Sequence, residues 1–185
     1  TLQRVMINSI NGCLEELCLQ VGTAVEDIYA FCVAGNPVML HFFLGLNPAG
    51  FAAAPYVGLF NDQLQCSARS LGLRAAQEAE CYILPQIGGF VGADTVAALL
   101  SIPMDQNNTY LLVDVGTNSE IVLKHQEEMW AASAAAGPAF EGGGITCGMR
   151  AGEGAIDRIF LGPGGKMEYN VLGNDLPRGL CGSAI

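Results

Sequence analysis

The sequence predicts an α/β fold with a mixed sheet, an antiparallel three-strand meander and flanking helices, and three observations carry that expectation. Two strand-turn-helix units follow one another in the first half. From residue 109 the pattern changes to short strands joined by brief turns. Hydrophobic residues make up 51% of 185, enough to fill a core and an argument against disorder.

Leu2, Met6, Ile10, Leu14, Leu17 and Cys18 recur at helical spacing and Gly22 follows as a stop, which predicts an amphipathic helix from residue 2 to about 20. The apolar run Ile28 to Asn36 reads as a strand ending in a Gly-Asn turn. Pro37 then stands at a favoured first helical position, so PVMLHFFLG starts a helix. Residues 47 to 62 are punctuated by Pro and Gly and read as loop, while 62 to 72 suggest a short helix. CYILPQIGGFVGADTVAALLS gives a strand at 81 to 84, a turn at Gly88 and Gly89, and a helix from about 91 to 101. YLLVDVG, EIVLKH and EMWAASAA are the three strands of the meander, joined by the turns GTNS and QE.

Between Gly137 and Gly165 the chain is rich in glycine, in GPAFEGGG, GMRAGEGA and LGPGG. The interspersed Phe140, Ile145, Met149, Ile156 and Ile159 do not suit a flexible linker. A backbone that approaches a ligand closely is the alternative.

A formal charge of −10, from 18 acids and 8 bases, leaves no basic stripe for a nucleic-acid backbone. The uncharged stretch from 42 to 60 holds Asn47, Pro48 and Pro55, which argues against a membrane-spanning helix. Seven cysteines, at 13, 18, 32, 66, 81, 147 and 181, form no CxxC and miss zinc and cluster spacings. They are expected as free, mostly buried thiols in a reducing cytosol. The chain starts at Thr1 and stops in the Gly-rich run Gly179 to Ile185, which we read as the marks of a piece cut from a longer polypeptide.

The segment LLVDVGTNSE, Leu111 to Glu120, carries the clearest chemistry. A strand ending in Asp-x-Gly-Thr and followed at once by another can turn backbone N–H groups toward an anion, with Gly116 supplying φ values that a side chain would forbid. Thr117 and Asn118 can donate to phosphate oxygens, and Asp114 can hold Mg²⁺ through water. By itself the turn is equally compatible with an ordinary Asn-rich hairpin.

DVGTNSEIVL, SAAAGPAFEGGGITCGMRAGEGAI, VAGNPVMLHFFLGLNP, LPQIGGFVGAD and GLCGSAI together resemble the C-terminal domain of the reductive activators of corrinoid proteins, over nearly the whole chain. The resemblance implies the acetate and sugar kinase, Hsp70 and actin superfamily, in which two ribonuclease-H-like lobes close on ATP. It implies that residues 1–108 are the remainder of the first lobe and 109–185 the start of the second. It implies ATP-dependent reduction of an inactive Co(II) corrinoid to Co(I), in a corrinoid iron–sulfur protein or a corrinoid methyltransferase subunit. Electrons would come from a 2Fe-2S cluster elsewhere in the same polypeptide. The family's first Asp-x-Gly-Thr-Thr turn and its ferredoxin-type cysteines have no counterpart here, so the 185 residues alone are expected to be inactive. Ser119 stands where the family has Gly, and would be strained if the turn needed φ > 0 there.

Further residues follow from the resemblance. Gly137, Pro138, Gly142 and Gly143 resemble a loop that admits the nucleotide or the facing lobe, and Gly182 and Ser183 lie in a motif near the nucleotide side. Arg150 could clamp a phosphate, or form an ion pair with Glu141 or Glu153, the reading we favour. Glu120 could orient water on Mg²⁺, or be a solvated hairpin carboxylate. Cys181 and His41 read as packed core residues, and His125 as a strand-end surface residue. A small-molecule kinase would need a carboxylate base, and no Asp outside the turn is placed for it. A non-catalytic nucleotide-binding or docking module is the other alternative. Exposed apolar residues in so charge-poor a chain suit a homodimer.

Overall fold

The computed structural model describes residues 1–184; Ile185, the end of the GLCGSAI segment, lies outside the described residues, as do the side chains of Phe140 and Asn174. The chain forms two compact units, Thr1–Tyr110 with Lys124–Ala131, and Leu111–Leu123 with the residues from Ala132 onward.

In the first unit, helix α1 spans Leu2–Val21. The Thr1 hydroxyl accepts the Arg4 N–H at its start, and Gly22 ends it in the left-handed region at φ 73. The buried stripe is Ile7, Asn11 and Cys18, with Met6, Ile10 and Leu14 half-buried, whereas Leu2 and Leu17 are exposed. The helical period is the expected one, and its phase is set by Asn11. The Asn11 amide donates to the Gly72 carbonyl at 2.9 Å and accepts the Arg74 N–H at 2.8 Å, which docks the helix on residues 72–74.

Strand β1 (Ala30–Val33) precedes helix α2 (Pro37–Leu44), whose first turn is capped by the Asn36 side chain on the Met39 N–H. Strands β2 (Leu64–Ser67) and β3 (Glu80–Ile83) complete a three-stranded sheet of order β1-β3-β2, with β1 parallel and β2 antiparallel to β3. The expected helix over 62–72 is therefore corrected: residues 64–67 form β2, and only the single turn α3 (Ala68–Leu71) is helical. Pairing of Leu64 with Ile83 and Cys66 with Cys81 outweighs local propensity in so short a segment. Helix α4 spans Ala93–Ser101. Leu40, Phe43, Ala68, Cys81, Ile83 and Ala93 lie at the centre of this unit's core.

His41 is fully buried in that unit. Its Nε2 accepts the Leu59 N–H at 3.0 Å, and Nδ1 donates to the Pro37 carbonyl at 2.7 Å. Stacking on Phe60 and an edge contact with Phe51 complete its surroundings. Among the described residues, no helix is long and apolar enough to cross a membrane, and the stretch 42–60 is the end of α2 followed by a 3₁₀ turn at Pro48–Phe51.

Strands β4 (Tyr110–Val115), β5 (Asn118–His125) and β6 (Glu128–Ala135) form the expected meander in the order β4-β5-β6. His125 ends β5 exposed, with Nδ1 at 2.8 Å from the Thr109 hydroxyl. Within the second unit lies a sheet that the glycine-rich composition concealed. Strand β7 (Ala155–Leu161) pairs antiparallel with β8 (Met167–Val171) and parallel with β9 (Gly179–Leu180). Leu180 of β9 pairs on its other side with the loop before β7, through Met149 N–H to the Leu180 carbonyl and Leu180 N–H to the Cys147 carbonyl, both at 2.8 Å.

Three of the seven cysteines, Cys13, Cys32 and Cys147, are exposed, which corrects the expectation of mostly buried thiols.

Candidate functional site

Asp114 lies near the end of β4, and Gly116-Thr117 alone connect it to β5. Asp114, Thr117 and Asn118 are exposed, while Gly116 and Glu120 are half-buried. The Gly116 N–H donates to the Asn118 carbonyl at 3.1 Å and closes the turn. Gly116 does not adopt a left-handed φ, contrary to the sequence expectation; a Cβ there would instead stand 3.1 Å from the Asn118 carbonyl oxygen. Ser119 lies inside β5 without a positive φ, so the strain expected of it does not arise.

Thr117 is tied to the segment after β6. Its carbonyl accepts the Ala136 N–H at 3.1 Å and the Gly137 N–H at 2.9 Å, and its hydroxyl donates to the Glu141 carboxylate. Gly137, at φ 110, turns the chain at this point. The Pro138 carbonyl then accepts the N–H groups of Glu141 at 3.1 Å and Gly143 at 2.7 Å, winding Ala139–Glu141 into a 3₁₀ turn. These bonds bring Thr117, Gly137 and Pro138 together around a residue that sequence reasoning weighed only as a partner of Arg150. A separation of 24 positions left no local pattern to link Glu141 to Thr117.

Gly142, Gly143 and Gly148 face protein. A Cβ on Gly142 would lie 2.5 Å from the Met149 main chain, and one on Gly143 would lie 2.6 Å from the Pro138 ring. Likewise a Cβ on Gly148 would meet the Gly142 carbonyl oxygen at 2.0 Å. Backbone packs on backbone here, closer than any side chain allows.

Glu120 accepts the Ser133 hydroxyl at 3.0 Å across the meander, so it is neither free nor simply solvated. Arg150 is exposed and, among the described residues, pairs with neither Glu141 nor Glu153; the expected ion pair is not formed. Gly182 is buried and Ser183 exposed. Cys181 is buried and its thiol donates to the Ile156 carbonyl at 3.3 Å. Among the described residues, neither Arg150 nor Ser183 hydrogen-bonds to the turn.

The carboxylates at the turn are Asp114 and Glu141, the latter bonded to the Thr117 hydroxyl. Asp114 offers one exposed carboxylate at the turn, and among the described residues no group of three or more His, Cys, Asp or Glu side chains converges to hold a metal. An apolar cavity of about 420 Å³ lies in the first unit, lined by Met6, Ile10, Phe31, Met39 and Phe43, with no carboxylate or base in its wall.

Residues 1–107 match the family model described as the RACo middle region, and residues 108–185 match the C-terminal domain of RACo, the ASKHA domain. The chain belongs to the family of reductive activators of corrinoid proteins. It is 36% identical over 184 residues to the corrinoid activation enzyme RamQ of Eubacterium limosum, covering 100% of this chain and 31% of that protein. It is 32% identical over 153 residues to the Co(II) methylated amine-specific corrinoid protein reductase of Methanosarcina barkeri, covering 77% of this chain and 28% of the relative. A solved reductive activator for a corrinoid, iron–sulfur protein superposes with a TM-score of 0.77 at 33% identity, over 98% of this chain and 29% of that one. The chain thus spans about a third of the length of these activators. Its α/β fold is the ASKHA fold of the reductive activators.

Proposed function

We propose that the chain is the nucleotide-facing part of an ATP-dependent activator that returns an inactive Co(II) corrinoid to Co(I). The observation that carries the reading is the Asp114–Asn118 turn, with the Gly137–Gly143 loop bonded back onto it through Thr117, in a chain that the family's models match from end to end. In this reading residues 1–108 close a first ribonuclease-H-like lobe and 109–185 open a second. Gly116, Thr117 and Asn118 face the phosphates, and Asp114 holds Mg²⁺ through water. Gly137, Pro138, Gly142 and Gly143 fix the loop against the turn, and Arg150 stands free to meet a phosphate or the corrinoid protein. Glu120, Gly182 and Ser183 support the same side. One electron per cobalt comes from a 2Fe-2S cluster in another part of the polypeptide, and the partner is a corrinoid iron–sulfur protein or a corrinoid methyltransferase subunit. In this reading the protein works in the cytoplasm, and exposed apolar side chains such as Leu111 and Trp130 support a homodimer.

The test uses the full-length polypeptide with a chemical electron donor and a Co(II) corrinoid protein, following Co(I) by its absorbance with and without MgATP. A MgATP-dependent gain in Co(I) supports the proposal, and an unchanged yield sinks it. For the turn, Asp114→Ala is expected to weaken ATP binding about tenfold, the scale of one charge-assisted contact. Unchanged affinity in the folded variant would leave the turn a purely structural hairpin.

A further inference from the structure

The hydroxyl of Thr117 has one proton to donate, and Glu141 takes it. Glu141 is held in place to do so. Its own N–H is bonded to the Pro138 carbonyl at 3.1 Å, and the following Gly142 sits against the Met149 main chain where only a glycine fits. Two N–H groups, of Ala136 and Gly137, fix the Thr117 carbonyl from the same segment. While this arrangement stands, a phosphate oxygen cannot claim the Thr117 hydroxyl, and a bare polyphosphate arriving at the turn meets the negative charge of Glu141.

A divalent cation carried by the polyphosphate reverses both effects. It neutralises the phosphates and gives the carboxylate a positive partner, directly or through water, which releases the hydroxyl. We propose that Glu141 is a positioning residue that makes the turn selective for metal-complexed over metal-free polyphosphate. The inference rests on the reading of this turn as a phosphate site, and it adds a residue and a specificity that the Asp-x-Gly-Thr pattern does not contain.

The test measures calorimetric affinity of the full-length protein for ATP in Mg²⁺ and for ATP in EDTA, in wild type and Glu141→Gln. The preference for the metal complex is expected to fall about tenfold in the variant, chiefly through tighter metal-free binding. Thr117→Ser, which keeps the donor, should retain the wild-type preference. In nucleotide-free protein, Glu141→Ala should speed amide hydrogen exchange at Ala136 and Gly137 several-fold, because their acceptor is no longer pinned. An unchanged preference in Glu141→Gln, or unchanged exchange in Glu141→Ala, overturns the role of Glu141 while leaving the phosphate turn intact. Wild-type protein that binds ATP in neither medium overturns the phosphate reading itself, and this inference with it.

Discussion

The Gly137 N–H meets the Thr117 carbonyl at 2.9 Å, so the end of β6 and the β4–β5 turn are one hydrogen-bonded unit. That unit depends on the φ of 110° at Gly137, where an added Cβ would meet no atom within 4 Å. Gly137→Ala is therefore expected to cost about 1–3 kcal/mol through backbone strain alone, read as a lowered urea midpoint at unchanged slope. A midpoint matching wild type would show that the loop relaxes freely.

Gly142 and Gly144 separate strain from collision. Both have left-handed φ, 79° and 74°, but a Cβ on Gly142 would lie 2.5 Å from the Met149 main chain whereas one on Gly144 faces open space. Gly144→Ala should cost about 1 kcal/mol, and Gly142→Ala clearly more, about 3 kcal/mol or beyond. Thermal unfolding of the two variants side by side checks the order, and equal losses would contradict the close packing.

The thiol of Cys81 is pushed up to about 12 from an ordinary 9.0, first by burial and then by the neighbouring thiols of Cys66 and Cys32. Its folded value lies above its unfolded one, so the folded state binds the proton more tightly. The stabilisation is complete below pH 9.0 and is lost as pH rises toward about 12. Wild-type stability should fall by up to about 1.4 kcal/mol per pH unit in that window relative to Cys81→Ala. Parallel pH profiles of the two proteins would remove Cys81 from the alkaline transition. In the same range, exposed Cys13 and Cys147 should be alkylated well before Cys81.

His41→Ala would leave the Leu59 N–H and the Pro37 carbonyl without the ring that pairs them, and would open a space beside Phe51 and Phe60. A loss of about 2–4 kcal/mol is expected in denaturant unfolding. A loss below about 1 kcal/mol would mean that water or a shifted loop replaces both bonds.

Much of the first unit was legible because its boundaries are local. Gly22 and Asn36-Pro37 act on the turns they stand in, and the structure finds α1 and α2 bounded there. The phase of α1 was not legible, since Leu17 fits a helical period as well as Ile7 does, and Asn11 decides between them through partners more than 60 positions away. Strand β2 was hidden because four residues carry little periodicity, and their pairing with β3 is what makes them a strand. At the site, the strand-turn-strand geometry was readable from LLVDVGTNSE, whereas the attachment of Thr117 to Glu141 depends on a loop folding back. A glycine in a turn suggests a special φ, whereas Gly116 relieves a close approach to the Asn118 carbonyl instead.

The contacts of Gly142, Gly143 and Gly148 bear on how such sequences are recognised. A signature written in these glycines is a record of chain-to-chain spacing, and it would persist in a relative that had lost its ligand. Whether a related sequence still handles nucleotide is better judged from the polar letters set between the glycines, above all the pairing of a hydroxyl at 117 with a carboxylate at 141. A relative with every glycine kept and that pair broken would share the shape of the loop and a different chemistry.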